Sequence, residues 1–311
     1  MPNATAGVAV NHSQAVPLLS QAPRAAATGL LRAPVAQFYD SLRAYILVAE
    51  WAPERKANAE EICAHVSAAS WPCALVPAPK GQEYTNASIA ALEAEGVVTL
   101  APTRPEPPPL PPWLPKVVGP VLRDWLPNQL NASFNWRWNK ALGNTVGVIR
   151  ALQAMQADID AAEKQQPGSS ARTLYLFLED DALVKSYDTF TADVFSTAAR
   201  LKPGTWDLLL LTVTPGLCQR SAKLPPPWRV PHDGMFTPRY SYSRTTGMVH
   251  SAEGVARLLA NLPADNIIDM WIRELMRARK LRIRMHCGDI VTFGATAKNQ
   301  ARRIMVEVNG T

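Results

Sequence analysis

Apolar residues fall along this chain in short blocks whose spacing predicts alternating strands and helices. Residues 44–50 (AYILVAE) form an apolar run and read as a first strand, and residues 53–66 (PERKANAEEICAHV) as the amphipathic helix after it, with Ile62 and Val66 four apart on one face. Residues 73–76 are a second short strand, followed by a Lys80-Gly81 turn, so the chain opens as a β-turn-α-β unit of the nucleotide-binding kind. Across residues 144–161 the positions Val148, Leu152, Met155 and Ile159 keep helical spacing, and residues 165–171, with Pro167 and Gly168, are the loop that follows. Residues 173–184 (TLYLFLEDDALV) read as a buried strand ending in acids. Phe190, Val194 and Phe195 return to helical spacing, and Pro203-Gly204 turns the chain into residues 206–213, a second buried strand with the two-sided apolar pattern of a parallel core. Residues 242–250 form a strand whose glycine marks a close backbone approach to a ligand. Ser251 caps a helix with Val255, Leu258, Leu259 and Leu262 in one stripe, which Pro263 stops. Ile268, Trp271, Ile272 and Leu275 make another amphipathic helix with Asp269 in its first turn, and residues 281–285 begin the last strand.

Between these blocks lie stretches of another character. The first 39 residues hold no Asp or Glu, so residues 1–40 read as a disordered or targeting-type leader, although a compact signal-peptide core is missing. Residues 101–120 are too rich in proline for a helix or an inner strand and run as an extended surface loop. Residues 217–240 are irregular and proline-rich, a candidate lid, and residues 301–311 form a tail. What remains, residues 41–300, is one main α/β domain, and 311 residues at 47% hydrophobic suffice for its core.

Charge and cysteine usage narrow the classes further. Net charge is +6, and the densest basic cluster holds Arg277, Arg279, Lys280, Arg282 and Arg284, which reads as a solvated helix face and edge strand or as a phosphate-attracting patch. No basic motif is interleaved with aromatics, which argues against nucleic acid, and no apolar run reaches the roughly 18 to 20 residues of a membrane span. Cys63, Cys73, Cys218 and Cys287 lack a paired CxxC pattern, which argues against structural zinc. Cys63 and Cys73 are near enough to pair, with buried free thiols the equal alternative. Asn-x-Ser/Thr sequons at Asn3, Asn11, Asn86, Asn131 and Asn309 lean toward a secretory lumen (ER or Golgi), with the cytoplasm left open.

The chemistry concentrates at Glu179, Asp180 and Asp181. Acids beyond the end of a buried strand are aimed at the cleft where α/β sheets bind ligands. Crowded carboxylates either raise a pKa or recruit a hard cation, Mg2+ or Mn2+, which also suits a diphosphate leaving group. The competing reading is a solvated acidic turn capping the next helix.

Three blocks, in order, resemble the family 25 glycosyltransferases, the group that holds lipooligosaccharide β-galactosyltransferases and collagen galactosyltransferases. They are the first strand with its Pro53-Glu54-Arg55 turn, the LFLEDDALV core at 176–184, and the pair WDLLLLTVTPGLC (206–218) and TTGMVHSAEGVARLL (245–259), with Ile268-Asp269-Met270-Trp271 beyond them. The similarity covers residues 44–76 and 140–295. It implies a GT-A-like fold, a Rossmann-like mixed sheet flanked by helices, and metal-dependent transfer of a galactose- or glucose-type hexose from a UDP-sugar to a glycan or protein hydroxyl. On that reading Asp181 is the principal metal ligand, with Glu179 or Asp180 contacting the ion, its waters or the ribose. Arg55 meets the uracil or the diphosphate, or is a solvated turn residue. Asp269 is the candidate base for the acceptor hydroxyl, a role that competes with plain stabilisation of its helix dipole. His286, with Asp289 after the last strand, stands where some GT-A enzymes place a further metal-binding histidine. His250 reads as structural, and Trp206 and Trp271 as packing residues. The chain departs from the family on the helix before the acids, where LGNTVGVIRALQAM lacks the usual acidic residue and Ser-His pair and offers Asn144 and Arg150 instead. That departure motivates the alternative of a non-catalytic lumenal binding module. Nucleotidyl transfer is a weaker alternative, because the turn at 51–55 has no glycine for a phosphate loop.

Overall fold

β1 (Ser41–Val48) is apolar on both sides because it runs inside the sheet. Leu42, Ala44, Ile46 and Val48 pack into one layer of the core, and Tyr45 and Leu47 into the other, as the period-two geometry of a strand requires. α1 (Pro53–Ala68) follows after a four-residue turn and buries Ala59, Ile62 and Val66. It leads to β2 (Cys73–Pro77), which pairs parallel to β1, and a disulfide between Cys63 and Cys73 ties helix to strand. Cys287 is disulfide-bonded as well.

This structure is a computed structural model that describes residues 38–99, 140–212, 234–238, 245–288 and 290–293, all within one compact unit. The proline-rich segment 101–120, the tail 301–311, nearly all of the leader and most of the candidate lid at 217–240 lie outside the described residues.

α2 (Asn86–Ala94) was not foreseen from the periodicity. Thr85 and Ser88 cap it reciprocally, each backbone N–H donating to the other's hydroxyl, and Ile89 and Leu92 enter the core. α3 (Lys140–Gln165) overruns the expected helix at both ends and buries Val148, Leu152, Met155 and Ile159 as the spacing demanded. β3 (Thr173–Leu178), wholly buried, pairs parallel to β1 on the side away from β2. The strand does not run on to residue 184. The chain turns at the acids, and β4 (Ala182–Val184) leaves the main sheet to pair antiparallel with β9 (Val291–Phe293). α4 (Tyr187–Ala198) then buries Phe190, Val194 and Ala198.

β5 (Leu208–Leu210) is shorter than the apolar run that predicts it. Ahead of it Trp206 is fully buried and donates its indole N–H to the Tyr39 hydroxyl at 3.0 Å. Asp207, also fully buried, receives the Arg282 guanidinium in a two-pronged pair, Nη2 to Oδ1 at 2.6 Å and Nε to Oδ2 at 3.0 Å, with Arg257 Nε at 3.3 Å from Oδ1. Part of the basic cluster is therefore structural: Arg282 holds Asp207, and Arg284 bonds the Thr237 hydroxyl.

β6 (Met235–Phe236), β7 (Gly247–His250) and β8 (Ile283–His286) complete a sheet of six strands extended at one edge by the two-residue β6, in the order β2-β1-β3-β7-β5-β8-β6. β7 is antiparallel to both β3 and β5, so the sheet is mixed and not the parallel core expected around residues 206–213. A fully buried strand is apolar on both faces in either direction, so its sequence carries no sign of orientation. α5 (Ala252–Leu259) is capped by the Ser251 hydroxyl, which accepts from Gly254 N–H at 3.0 Å. Gly254 is obligatory, since a Cβ there would lie 1.9 Å from the Asp207 carbonyl oxygen. α6 (Ile268–Arg277) presents Ile268, Trp271, Ile272 and Leu275 to the core. Helices α2, α3, α5 and α6 contribute to one core layer and α1 and α4 to the other, so both faces of the sheet are covered.

Candidate functional site

The order of the first three strands reverses direction at β1. The chain passes from β1 outward to β2, then returns to the opposite side of β1 for β3, so it leaves β1 and β3 toward opposite edges of the sheet. In open α/β sheets ligands bind at such a switch point, outside the carboxyl ends of the strands. The turn at 49–52 leaves β1 here, with Trp51 43% exposed, and the three acids leave β3 here.

Glu179, Asp180 and Asp181 occupy the first three places of a β-turn closed by Ala182 N–H donating to the Glu179 carbonyl at 3.1 Å. Asn58, three residues after Arg55 on α1, clamps the turn from outside: its amide donates to the carbonyls of Asp180 (3.1 Å) and Ala182 (2.9 Å). Asp180 turns inward, its side chain only 4% exposed, and pairs with Arg55 Nη2. Burial raises its pKa above the usual aspartate range, and the adjacent guanidinium opposes that rise. Arg55 Nη2 is also 3.9 Å from Asp181 Oδ2, while Arg55 Nε has no protein partner.

Asp181 differs from its neighbour. Its side chain is 36% exposed, yet Oδ1 is buried without a hydrogen-bond partner, and burial raises its pKa against the pull of Arg55. A buried carboxylate oxygen left unmatched in a cleft is a place for a donor from outside the chain.

Glu179 sits deeper. Its Oε1 receives the Asn144 amide at 3.0 Å and the Thr245 hydroxyl at 2.9 Å, and the same hydroxyl lies 2.9 Å from Asp269 Oδ1. One hydroxyl hydrogen thus faces two carboxylates. A proton on Glu179 completes both contacts, with Glu179 donating to Thr245 and Thr245 to Asp269. Burial first, then the charges of Asp181 and Asp269, push the Glu179 pKa up to about 7.

The structure therefore gathers Arg55, Glu179, Asp180, Asp181 and Asp269 at one edge, where α1, α3 and α6 all begin. Helix N-termini favour negative charge, both that of these acids and that of a phosphate. His286 is not in this group; it lines a cavity beside α4 with Lys185 and Ser186. Asp289 lies outside the described residues. Among the described residues no three His, Cys, Asp or Glu side chains converge as a metal-holding set. The close approach of Gly247 is to Val291 of β9, 3.2 Å from where a Cβ would stand, and not to a ligand. His250, Trp206 and Trp271 are buried, the packing positions expected for them.

Three residues of the site escaped the sequence reading in these roles. Asn144 was visible only as a departure from the family pattern, and Thr245 lay inside a resembling segment without a role. Nothing in the local sequence of Asn58 marks it, because its partners are 122 and 124 residues away. No protein-family model matches this chain, and no curated protein matches it either.

Proposed function

We propose that this protein is a metal-dependent glycosyltransferase of GT-A-like architecture, moving a hexose from a nucleotide-diphosphate sugar to a glycan or protein hydroxyl. The observation that carries the reading is the division of labour at the switch point: Asp180 is neutralised by Arg55, while Asp181 keeps a buried oxygen without a partner beside Glu179. The donor set fits a hard divalent cation, since Mg2+-type sites commonly take one or two carboxylates and complete their shell with substrate phosphates and water. Glu179, once deprotonated, and Asp181 would hold it. Such a cation, when bound, offsets the charge that develops on the diphosphate as its bond to the anomeric carbon breaks.

The chain's own residues supply the rest. Arg55 keeps the acidic turn in place through Asp180, and its Nε is free to meet a phosphate oxygen. The exposed Trp51 ring, in the turn after β1, offers a stacking surface for uracil. Asp269, oriented by Thr245, accepts the proton of the acceptor hydroxyl. The Cys63–Cys73 disulfide agrees with the sequons in favouring an oxidising lumen.

The test is UDP-sugar hydrolysis and transfer with and without Mn2+, beside nucleotide binding by thermal shift. Asp181→Ala is expected to abolish Mn2+-dependent turnover and to leave the melting temperature of the metal-free protein nearly unchanged, because a cleft acid contributes little to packing. Turnover retained in that variant would refute the assigned metal site. UDP binding without turnover in the wild type would favour the binding module.

A further inference from the structure

A cavity apart from the acids opens between α4 and a wall made by His286, Gly288 and Ile290. It measures about 430 Å3, within the usual range of small-ligand pockets, and its lining includes Lys185, Ser186, Thr189, Asp193, Thr197 and His286. Thr189, Asp193 and Thr197 are spaced i, i+4, i+8 and so stand in a row along one face of α4, about 6 Å apart at ~1.5 Å of rise per residue. Lys185 and Ser186 stand at the head of that row. The facing wall is His286, whose imidazole has room because residue 288 is glycine: a Cβ there would lie 2.3 Å from Nε2. Lys185 N–H donates to the Ile290 carbonyl at 3.3 Å and fastens the two walls.

These groups are open to a ligand. Among the described lysines Lys56 pairs with Glu50 and Lys80 with Glu83, while Lys164, Lys202 and Lys280, like Lys185, form no ion pair. Among the described residues Lys185, Ser186, Thr189, Asp193 and Thr197 make no side-chain hydrogen bond or ion pair, and the cation and the carboxylate on one wall are not matched to each other. An ammonium at one end, then hydroxyls that both donate and accept, then a carboxylate acceptor, is a pattern for a polyhydroxylated ligand with one negative group. The row spacing is on the scale of one sugar ring. We propose that this cavity binds a carbohydrate bearing an acidic group, a uronate or a sulfated sugar, with that group on Lys185 and Ser186 and ring hydroxyls along Thr189, Asp193 and Thr197. Lys185 is four residues beyond Asp181, at most about 13 Å along an extended strand of ~3.3 Å per residue. That the ligand is the acceptor of the transfer rests on the function proposed above; its binding does not.

The experiment measures binding of glucuronate, glucose 6-sulfate, glucose and inorganic sulfate to the full chain by saturation-transfer NMR and calorimetry. UDP plus Mn2+ binding is followed in parallel. The two acidic sugars are expected to bind at least tenfold tighter than glucose or sulfate. Lys185→Met, which keeps the aliphatic stem, removes that advantage, Asp193→Asn weakens acidic and neutral sugars alike, and UDP binding is unchanged in both variants. The proposal is overturned if the acidic sugars bind no better than glucose, if sulfate alone binds as tightly as its sugar ester, or if Lys185→Met has no effect. Failure of UDP and Mn2+ binding alongside intact sugar binding refutes the transfer reading alone.

Discussion

His250 is expected to set the acid limit of this fold. It lies on β7 in register between Tyr175 of β3 and Leu208 of β5, fully buried, and neither ring nitrogen has a hydrogen-bond partner. An imidazolium there loses its hydration with nothing in exchange, so burial pushes the pKa down from 6.5 to about 3. The folded pKa is below the unfolded one, so the contribution to stability is complete above pH 6.5 and is lost as the pH falls toward 3. At about 1.4 kcal/mol per pH unit the loss totals about 5 kcal/mol. Glu179 acts in the opposite sense. Its folded pKa is raised from 4.5 to about 7, so in the metal-free protein a penalty for ionising it builds as the pH rises across that window, to about 3 kcal/mol. Between pH 4.5 and 6.5 the two slopes cancel, and below 4.5 the histidine acts without that counterweight. His250→Leu removes the proton uptake together with two unmatched polar atoms. The variant is expected to be more stable at neutral pH by about 1–3 kcal/mol, with the gap widening by about 1.4 kcal/mol per unit below pH 6.5. Urea unfolding from pH 3.5 to 8 in EDTA measures this, and the difference between the two proteins cancels every other titrating group. A gap that stays constant over the whole range refutes the neutral, buried histidine.

Thr245→Val removes the hydroxyl that bridges Glu179 and Asp269 and is expected to cost about 1–3 kcal/mol of stability, with Thr245→Ser recovering most of it; equal losses in both variants by urea unfolding contradict the hydroxyl bridge. Arg282→Met leaves the buried Asp207 with the backbone N–H of residue 282 at 2.7 Å and the longer Arg257 contact, and is expected to destabilise by about 1.5–3 kcal/mol. Adding Asp207→Leu to that variant is expected to recover much of the loss, and no recovery in a double-mutant cycle separates the pair from simple packing.

Much of the architecture was legible along the chain, because burial imposes its period on every element that has a wet and a dry side. Val148, Leu152, Met155 and Ile159 marked α3, and Ile268, Trp271, Ile272 and Leu275 marked α6, since a helix with one buried face must repeat near 3.6. Ser251 announced the start of α5 through cap chemistry confined to four residues. Strand direction was not legible: LLLL in a mixed sheet and LLLL in a parallel one are the same letters, and β7 reverses the sheet through pairings with β3 and β5 that lie far apart in sequence.

At the site the same boundary holds. Local pattern placed three acids after a buried strand, and the family resemblance suggested Arg55 and Asp269 as their companions. Their unequal roles came from contacts across 125 residues for Arg55 with Asp180, 35 for Asn144 with Glu179, and 66 and 24 for Thr245 with Glu179 and Asp269. Adjacent carboxylates are chemically alike in an extended chain. Desolvation and the particular donor each one meets make Asp180 a paired anchor, Glu179 a proton holder and Asp181 a group with bonding capacity to spare, and those depend on which helix ends the folded sheet brings to its edge.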